Sequence, residues 1–215
     1  MHISFDFDYT LANSSEGTVV CATHALEQLG LAIPPPQSIR ETVGFSLEKT
    51  FKILTGDESQ EAAAEFKRQF FAHADEVMLD HIHLYPDVPD LLRQLKSDEH
   101  YVSIVSTKLK YRIDDALTRD GLRDLVDDII GGACVSKNKP DPEPLLLATD
   151  KSRIGLEDTV YVGDSVSDGE CAQRAGVAFI AVLTGTTPEQ TLRVYEPRNV
   201  LGHVGEVVSA ITQAA

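Results

Sequence analysis

The hydrophobic and polar positions of this chain change period part-way along its length. Residues 3 to 10, ISFDFDYT, form an apolar, β-prone run in which two carboxylates stand two residues apart. Side chains two apart share one face of a strand, so Asp6 and Asp8 are predicted to be like-charged neighbours, which a purely structural strand avoids. Asn13, Ser14 and Ser15 follow as a polar turn and helix start. From about residue 16 to 80 the period is helical: Ala22, Leu26 and Leu29 fall on one face before Gly30, and AIPPPQ (32–37) breaks the chain. A shorter helix is expected over about 46–54, and then Ala63, Phe66, Phe70, Ala74 and Val77 recur at 3.6-type spacing. That stripe reads as core, and no strand signal interrupts the segment.

After LYPDVPD the two periods alternate. A helix over 89–97 leads to the strand YVSIVSTK, a helix over 109–119 and the short strand DIIGG. KPDPEPLLLA is a Pro-capped helix start, TVYVGDS a buried strand, DGECAQRAG a helix and VAFIAVL a strand again. A short strand at Asn199 to Leu201 and an amphipathic helix from about 203 close the chain. This alternation predicts an α/β fold, a Rossmann-like parallel sheet with helices on both faces. An all-helical domain is inserted after the first strand. The expected division is 1–14 with 83–215 for the α/β core and 15–82 for the insert.

Composition adds one constraint. The chain has 215 residues, with 19 Lys and Arg against 34 Asp and Glu, a formal net charge of −15. That sign argues against nucleic acid and anionic membrane as partners, since both need a basic surface. It leaves open a small anionic substrate, with a divalent cation reversing the sign locally. Cys21, Cys134 and Cys171 form no CxxC pair and read as small buried hydrophobes in a reducing compartment. The chain opens on a strand instead of a basic segment and apolar run, and no apolar run approaches ~18 residues, so the expected location is the cytoplasm.

In open α/β sheets, ligands bind outside the carboxyl ends of the strands. The predicted strands end in Asp6 and Asp8, in Ser106, Thr107 and Lys108, and in Asp164 with Asp168 four residues on; Lys137 and Lys139 follow DIIGG. Carboxylates at strand ends suit a hard cation such as Mg²⁺, with Asp6, the main-chain carbonyl of Asp8, and Asp164 as candidate metal ligands. A phosphoryl group beside it would be held by the Ser106 hydroxyl, nearby backbone amides and Lys139, which neutralise its charge. Asp6 would attack as a carboxylate nucleophile, and Asp8 would protonate the leaving oxygen and later activate water. Lys108 and Lys137 read as solvated lysines, with Lys108 also within reach of a substrate.

These motifs resemble, in order, those of the haloacid dehalogenase-superfamily phosphohydrolases, and in particular the phosphoglycolate phosphatase-like group with a helical cap after the first motif. DxDx(T/V) matches Asp6, Asp8 and Thr10; the Ser or Thr ending an apolar strand matches Ser106; the lysine before a Pro-rich helix start matches Lys139; GDxxxD matches Asp164 and Asp168. The resemblance implies a nucleophilic Asp6, an acid–base Asp8, phosphate binding by Ser106 and Lys139 with Thr10 and Thr107 beside them, and metal binding by Asp164. Asp168 either binds metal through water or orients Lys139. Tyr9 and Asp87 stand where the family often has glycine. Gly44 and Phe45, with Ser46, in ETVGFSLEKTF are candidates for substrate contact or for packing at a helix entry. His81 and His83 read as linker residues. The implied activity is Mg²⁺-dependent hydrolysis of a small phosphate monoester, phosphoglycolate-like or a sugar phosphate, by a monomer or homodimer. A carboxylate at Asp8 argues against a dehalogenase, and Leu47 stands where a phosphonoacetaldehyde hydrolase would carry lysine. The alternatives are a sugar-phosphate mutase and a non-catalytic binding protein on the same fold.

Overall fold

A computed structural model describes residues 1–212 of the chain. Its contacts divide it into two compact units, one formed by Met1–Ala12 with Leu84–Ala215 and one by Asn13–His83.

The first unit is built on six parallel strands in the order β5-β4-β1-β6-β7-β8: β1 His2–Phe5, β4 Tyr101–Val105, β5 Asp128–Ile130, β6 Thr159–Gly163, β7 Ala178–Val182 and β8 Asn199–Leu201. Two-residue strands, β2 (Ala12–Asn13) and β3 (His83–Leu84), mark the places where the chain passes from one unit to the other; no strand signal announced them. β1 sits centrally, with Ser4 in register with Ser103 on one side and Tyr161 on the other. Both faces of these strands are buried, which is why they read as continuous β-branched and aromatic runs. Helices α7 (Glu143–Ser152) and α8 (Val166–Ala175) pack on the face carrying Val105, Ile130, Tyr161 and Phe179, around Leu145, Ala148, Cys171 and Ala172. Helix α5 (Val88–Ser97) lies against β4 and meets α10 (Val207–Thr212), while α6 (Lys110–Arg119) follows β4 and α9 (Glu189–Leu192) follows β7.

The second unit is helical, as its period predicts. Helices α1 (Ser15–Gln28), α3 (Leu47–Thr55) and α4 (Gln60–Val77) bury Cys21, Ala22, Leu26, Phe51, Phe66, Phe70 and Ala74, with the Phe51 and Phe66 rings 5.5 Å apart. Ser46 and Ser59 cap α3 and α4, each accepting a bond from a backbone N–H three residues on. The AIPPPQ segment does more than break the chain: its last proline opens a short helix, α2 (Pro36–Arg40), because proline's fixed φ suits a first helical position.

Three expectations need correcting. The first strand does not run to Thr10 but stops at Phe5; beyond it the Phe7 carbonyl accepts from the backbone N–H of Leu11 and Ala12, both at 2.9 Å, and curls the chain. Asp6 and Asp8 therefore lie in the loop after β1 and do not share a strand face. Asp87 adopts a right-handed φ of −80°, so no glycine-like freedom is used there. Cys134 is exposed, while Cys21 and Cys171 are buried as read; all three are free thiols.

His2 is fully buried in β1, its Nε2 2.7 Å from Ser103 Oγ and its Nδ1 3.4 Å from Thr159 Oγ1. Burial, reinforced by the N-terminal ammonium, lowers its pKa from 6.5 to about 4. The folded value lies below the unfolded one, so neutral His2 contributes stability above pH 6.5 that disappears as pH falls through about 4. The shift corresponds to roughly 3 kcal/mol. Thermal melts should weaken between pH 6.5 and 4, and His2→Asn should flatten that decline. An equal slope in the variant would assign the acid sensitivity elsewhere.

Candidate active site

Asp6, Ser106 and Asp164 stand just past the carboxyl ends of the neighbouring strands β1, β4 and β6. The Asp6 backbone N–H still bonds to Val162 across the sheet, at 2.8 Å, before the chain turns away. Tyr9 completes that turn at φ +62°, a left-handed conformation uncommon for a residue with a side chain, and Thr184 in the loop after β7 donates its hydroxyl to the Tyr9 carbonyl. Thr10 donates to Asp164 Oδ1 at 3.2 Å, joining the first motif to the end of β6 across 154 positions of sequence. Gly185 is required by crowding: a Cβ there would stand 1.8 Å from Asp164 Oδ2.

Lys139 lies at the centre. Its ammonium is 2.8 Å from Asp6 Oδ1, 2.6 Å from Asp168 Oδ1 and 2.9 Å from the Tyr161 hydroxyl, and its side chain is 3% exposed. Asp168 is fixed from its other oxygen, which accepts from the Ser165 backbone N–H at 3.0 Å and from the Ser165 hydroxyl in the capping box that opens α8. Gly163 makes room for it, since a Cβ there would meet Asp168 Cβ at 2.5 Å.

Among the described residues, Asp6, Asp164 and Asp168 bring carboxylate oxygens within 4.8 Å of one another, all buried. Lys139 is the cation that touches two of them. Burial raises the Asp6 pKa to about 7 against the pull of Lys139, and burial with the charges of Asp168 and Asp6 lifts Asp164 well above the carboxylate range. For Lys139, burial works downward but the two carboxylates outweigh it and raise its pKa. Three buried acids against one ammonium are short of positive charge. A hard divalent cation fits that donor set of oxygens better than a further side chain would.

Asp8 stands apart from this cluster, its two oxygens each 3.0 Å from Lys108 Nζ, and both side chains are 8% exposed. Lys108 is thus not the solvated lysine of the sequence reading. Its carboxylate partner lies 100 residues earlier, so sequence held no signal for the pair. Lys137 is the exposed one, 72% accessible and 3.8 Å from Asp141. Ser106 is buried at the end of β4, where its backbone N–H bonds to Ile130 at 3.0 Å and its hydroxyl accepts from Lys108 N at 3.3 Å. The Thr107 carbonyl passes so close to Gly132 that a Cβ there would approach it to 2.3 Å. Gly44 and Phe45 belong to the helical unit; Gly44 takes φ +91° and the Lys49 ammonium sits 3.6 Å above the Phe45 ring. Tyr161 escaped the sequence reading, although a phenol inside an otherwise apolar strand signals that its hydroxyl has a buried partner.

The profile of the haloacid dehalogenase-like hydrolase family matches residues 3–182, and the chain belongs to that family. A phosphoglycolate phosphatase of Nitrosococcus oceani is 28% identical over 218 residues, covering 99% of this chain and 97% of that protein. A phosphoglycolate phosphatase of Neisseria meningitidis is 30% identical over 188 residues, 85% of this chain and 80% of the other. A crystal structure from Bacteroides fragilis, provisionally described as a haloacid dehalogenase-like hydrolase, superposes with a TM-score of 0.92 at 38% identity, covering 95% of this chain and 98% of that one.

The shortage of positive charge can be measured without any turnover. Asp164→Asn removes one of three crowded carboxylates, and in EDTA at pH 8 it should stabilise the fold by about 1 kcal/mol, roughly 3 °C for a chain of this length. An unchanged or lower melting temperature would mean that the cluster is not strained by its charge.

Proposed function

We propose that the protein is a Mg²⁺-dependent phosphatase that hydrolyses a small phosphate monoester, phosphoglycolate-like or a sugar phosphate, through an aspartyl-phosphate intermediate. The observation that supports this most is the Asp6 carboxylate held 2.8 Å from Lys139 beside two further buried acids. A nucleophile, an ammonium able to neutralise a transferring phosphoryl group and a set of hard oxygen donors are together what the reaction needs. The family and the names of its phosphatase relatives support the same reading.

In this reading the Asp6 carboxylate attacks phosphorus and the ester oxygen leaves. The Asp8 carboxyl gives that oxygen its proton, and then, as a carboxylate, takes a proton from the water that cleaves the aspartyl-phosphate. Two different acids serve the two tasks because one sits against Lys139 and the other against Lys108. Ser106 and Lys139 hold phosphoryl oxygens, with the backbone amides around Thr107 beside them. Asp168, immobilised by Ser165, orients Lys139. Asp6, Asp164 and the Asp8 carbonyl would hold Mg²⁺, which when bound supplies charge neutralisation to the phosphoryl oxygens. Thr10 acts on this side of the site through its bond to Asp164. Choice of substrate is assigned to the helical unit, with Gly44 and Phe45 as the residues to vary. Three free thiols accord with a reducing, cytoplasmic setting, and among the described residues no helix is long and apolar enough to cross a membrane.

Phosphate release from a panel of monoesters, with phosphoglycolate and hexose phosphates included, tests the reading. Release is expected in Mg²⁺, lost in EDTA and restored by excess Mg²⁺; full activity in chelator would remove the metal from the mechanism. Asp6→Asn should lower turnover by a factor on the order of 10³ or more while leaving the circular dichroism unchanged. Wild-type turnover in that variant would exclude Asp6 as nucleophile.

A further inference from the structure

The proposed reaction assigns no part to Tyr161, yet this residue is the largest fully buried side chain of the α/β unit. It lies in β6 between Val160 and Val162, on the face packed by α7 and α8, where an apolar ring of the same size would serve packing equally well. A buried hydroxyl is unfavourable unless it is hydrogen-bonded. Here the oxygen is 2.9 Å from Lys139 Nζ, 2.9 Å from the Val105 carbonyl and 3.0 Å from Asp168 Oδ1. Lys139 must be the donor in the first contact, so the single phenolic proton goes to Val105 or to Asp168.

Those three partners come from separate segments: the loop before α7, the end of β4 and the first turn of α8. Val105 is the residue immediately before Ser106. We propose that Tyr161 is a positioning residue for the phosphate-binding groups, its hydroxyl holding the Lys139 ammonium in register with the strand end that carries Ser106. An ammonium has three donors, and the acceptors around it are Asp6 at 2.8 Å, Asp168 at 2.6 Å and the Tyr161 hydroxyl at 2.9 Å. The hydroxyl is the neutral one of the three. Without it the cation is drawn fully onto two carboxylates, away from where it meets a phosphoryl oxygen. The bond between Thr10 and Asp164 does not involve Tyr161, so Asp164 keeps its support.

The kinetic consequence rests on the phosphatase reading; the confinement of the ammonium does not. Tyr161→Phe keeps the ring and removes the oxygen. It should raise both KM for the ester and the inhibition constant of inorganic phosphate roughly tenfold or more. A lower melting temperature with unaltered KM and phosphate inhibition would make Tyr161 merely structural and overturn the proposal. A second measurement uses the wild type alone: with ¹⁵N-labelled lysine, the Lys139 ammonium resonance should be protected from solvent exchange. Its absence overturns the proposal even if the variant does not fold. If the wild type releases no phosphate from any ester, while Tyr161→Phe still shifts the Lys139 ammonium resonance, the functional reading fails and the positioning role stands.

Discussion

The Lys139 ammonium, shared between the buried carboxylates of Asp6 and Asp168, is the interaction on which the rest of the site depends. A buried carboxylate without a cation would shed its charge by protonation, and a buried ammonium without carboxylates would do the reverse. Here the two carboxylates outweigh burial and hold Lys139 in its charged form, and the geometry that permits this is closely specified. Gly163 leaves space for Asp168, the Ser165 cap fixes its second oxygen, and Tyr161 closes the shell around the nitrogen. The cap and the Gly163–Asp168 contact are local, but those of Lys139 with Tyr161 and Asp168 span 22 and 29 residues, so the cluster exists only when the sheet has formed.

The parallel sheet supplies that precondition. With β1 central and β4 and β6 beside it, three carboxyl ends open on the same edge, and the loops that leave them converge. Crowding then does the fine placement. Gly185 passes where a methyl group would strike Asp164, and Gly132 presses against the Thr107 carbonyl. The resulting site concentrates more negative charge than its own lysines offset. In a chain with a net charge of −15 this is a local feature as well as a global one, and it is the reason a divalent cation suits the proposed chemistry better than an additional basic side chain.

Much of the fold was legible because its signals are local. The helical period of residues 60–77, the apolar runs of β4, β6 and β7 and the short strand at Asn199–Leu201 all follow from alternation of side chains along a few residues. The chemistry was legible where it coincides with a strand end, as for Asp6, Ser106 and Asp164. What escaped were residues defined by distant partners. Lys108 looked solvated because its partner Asp8 is 100 positions away, and Tyr161 looked like core because Lys139 is 22 positions away. The early end of β1 was missed for a related reason: the Phe7 carbonyl, not any turn-forming residue, bends the chain.

By itself the sequence determined the alternation of elements, the helical segment that interrupts it and the four polar motifs that end or follow strands, since each depends on residue type and spacing alone. Only the tertiary structure decided which carboxylate faces which lysine, separating Asp6 on Lys139 from Asp8 on Lys108. That choice sets two acids two residues apart into different electrostatic surroundings. It could not be read from the chain because burial and charge pairing are properties of the assembled site: they depend on strand order and on loops brought together across as many as 175 residues.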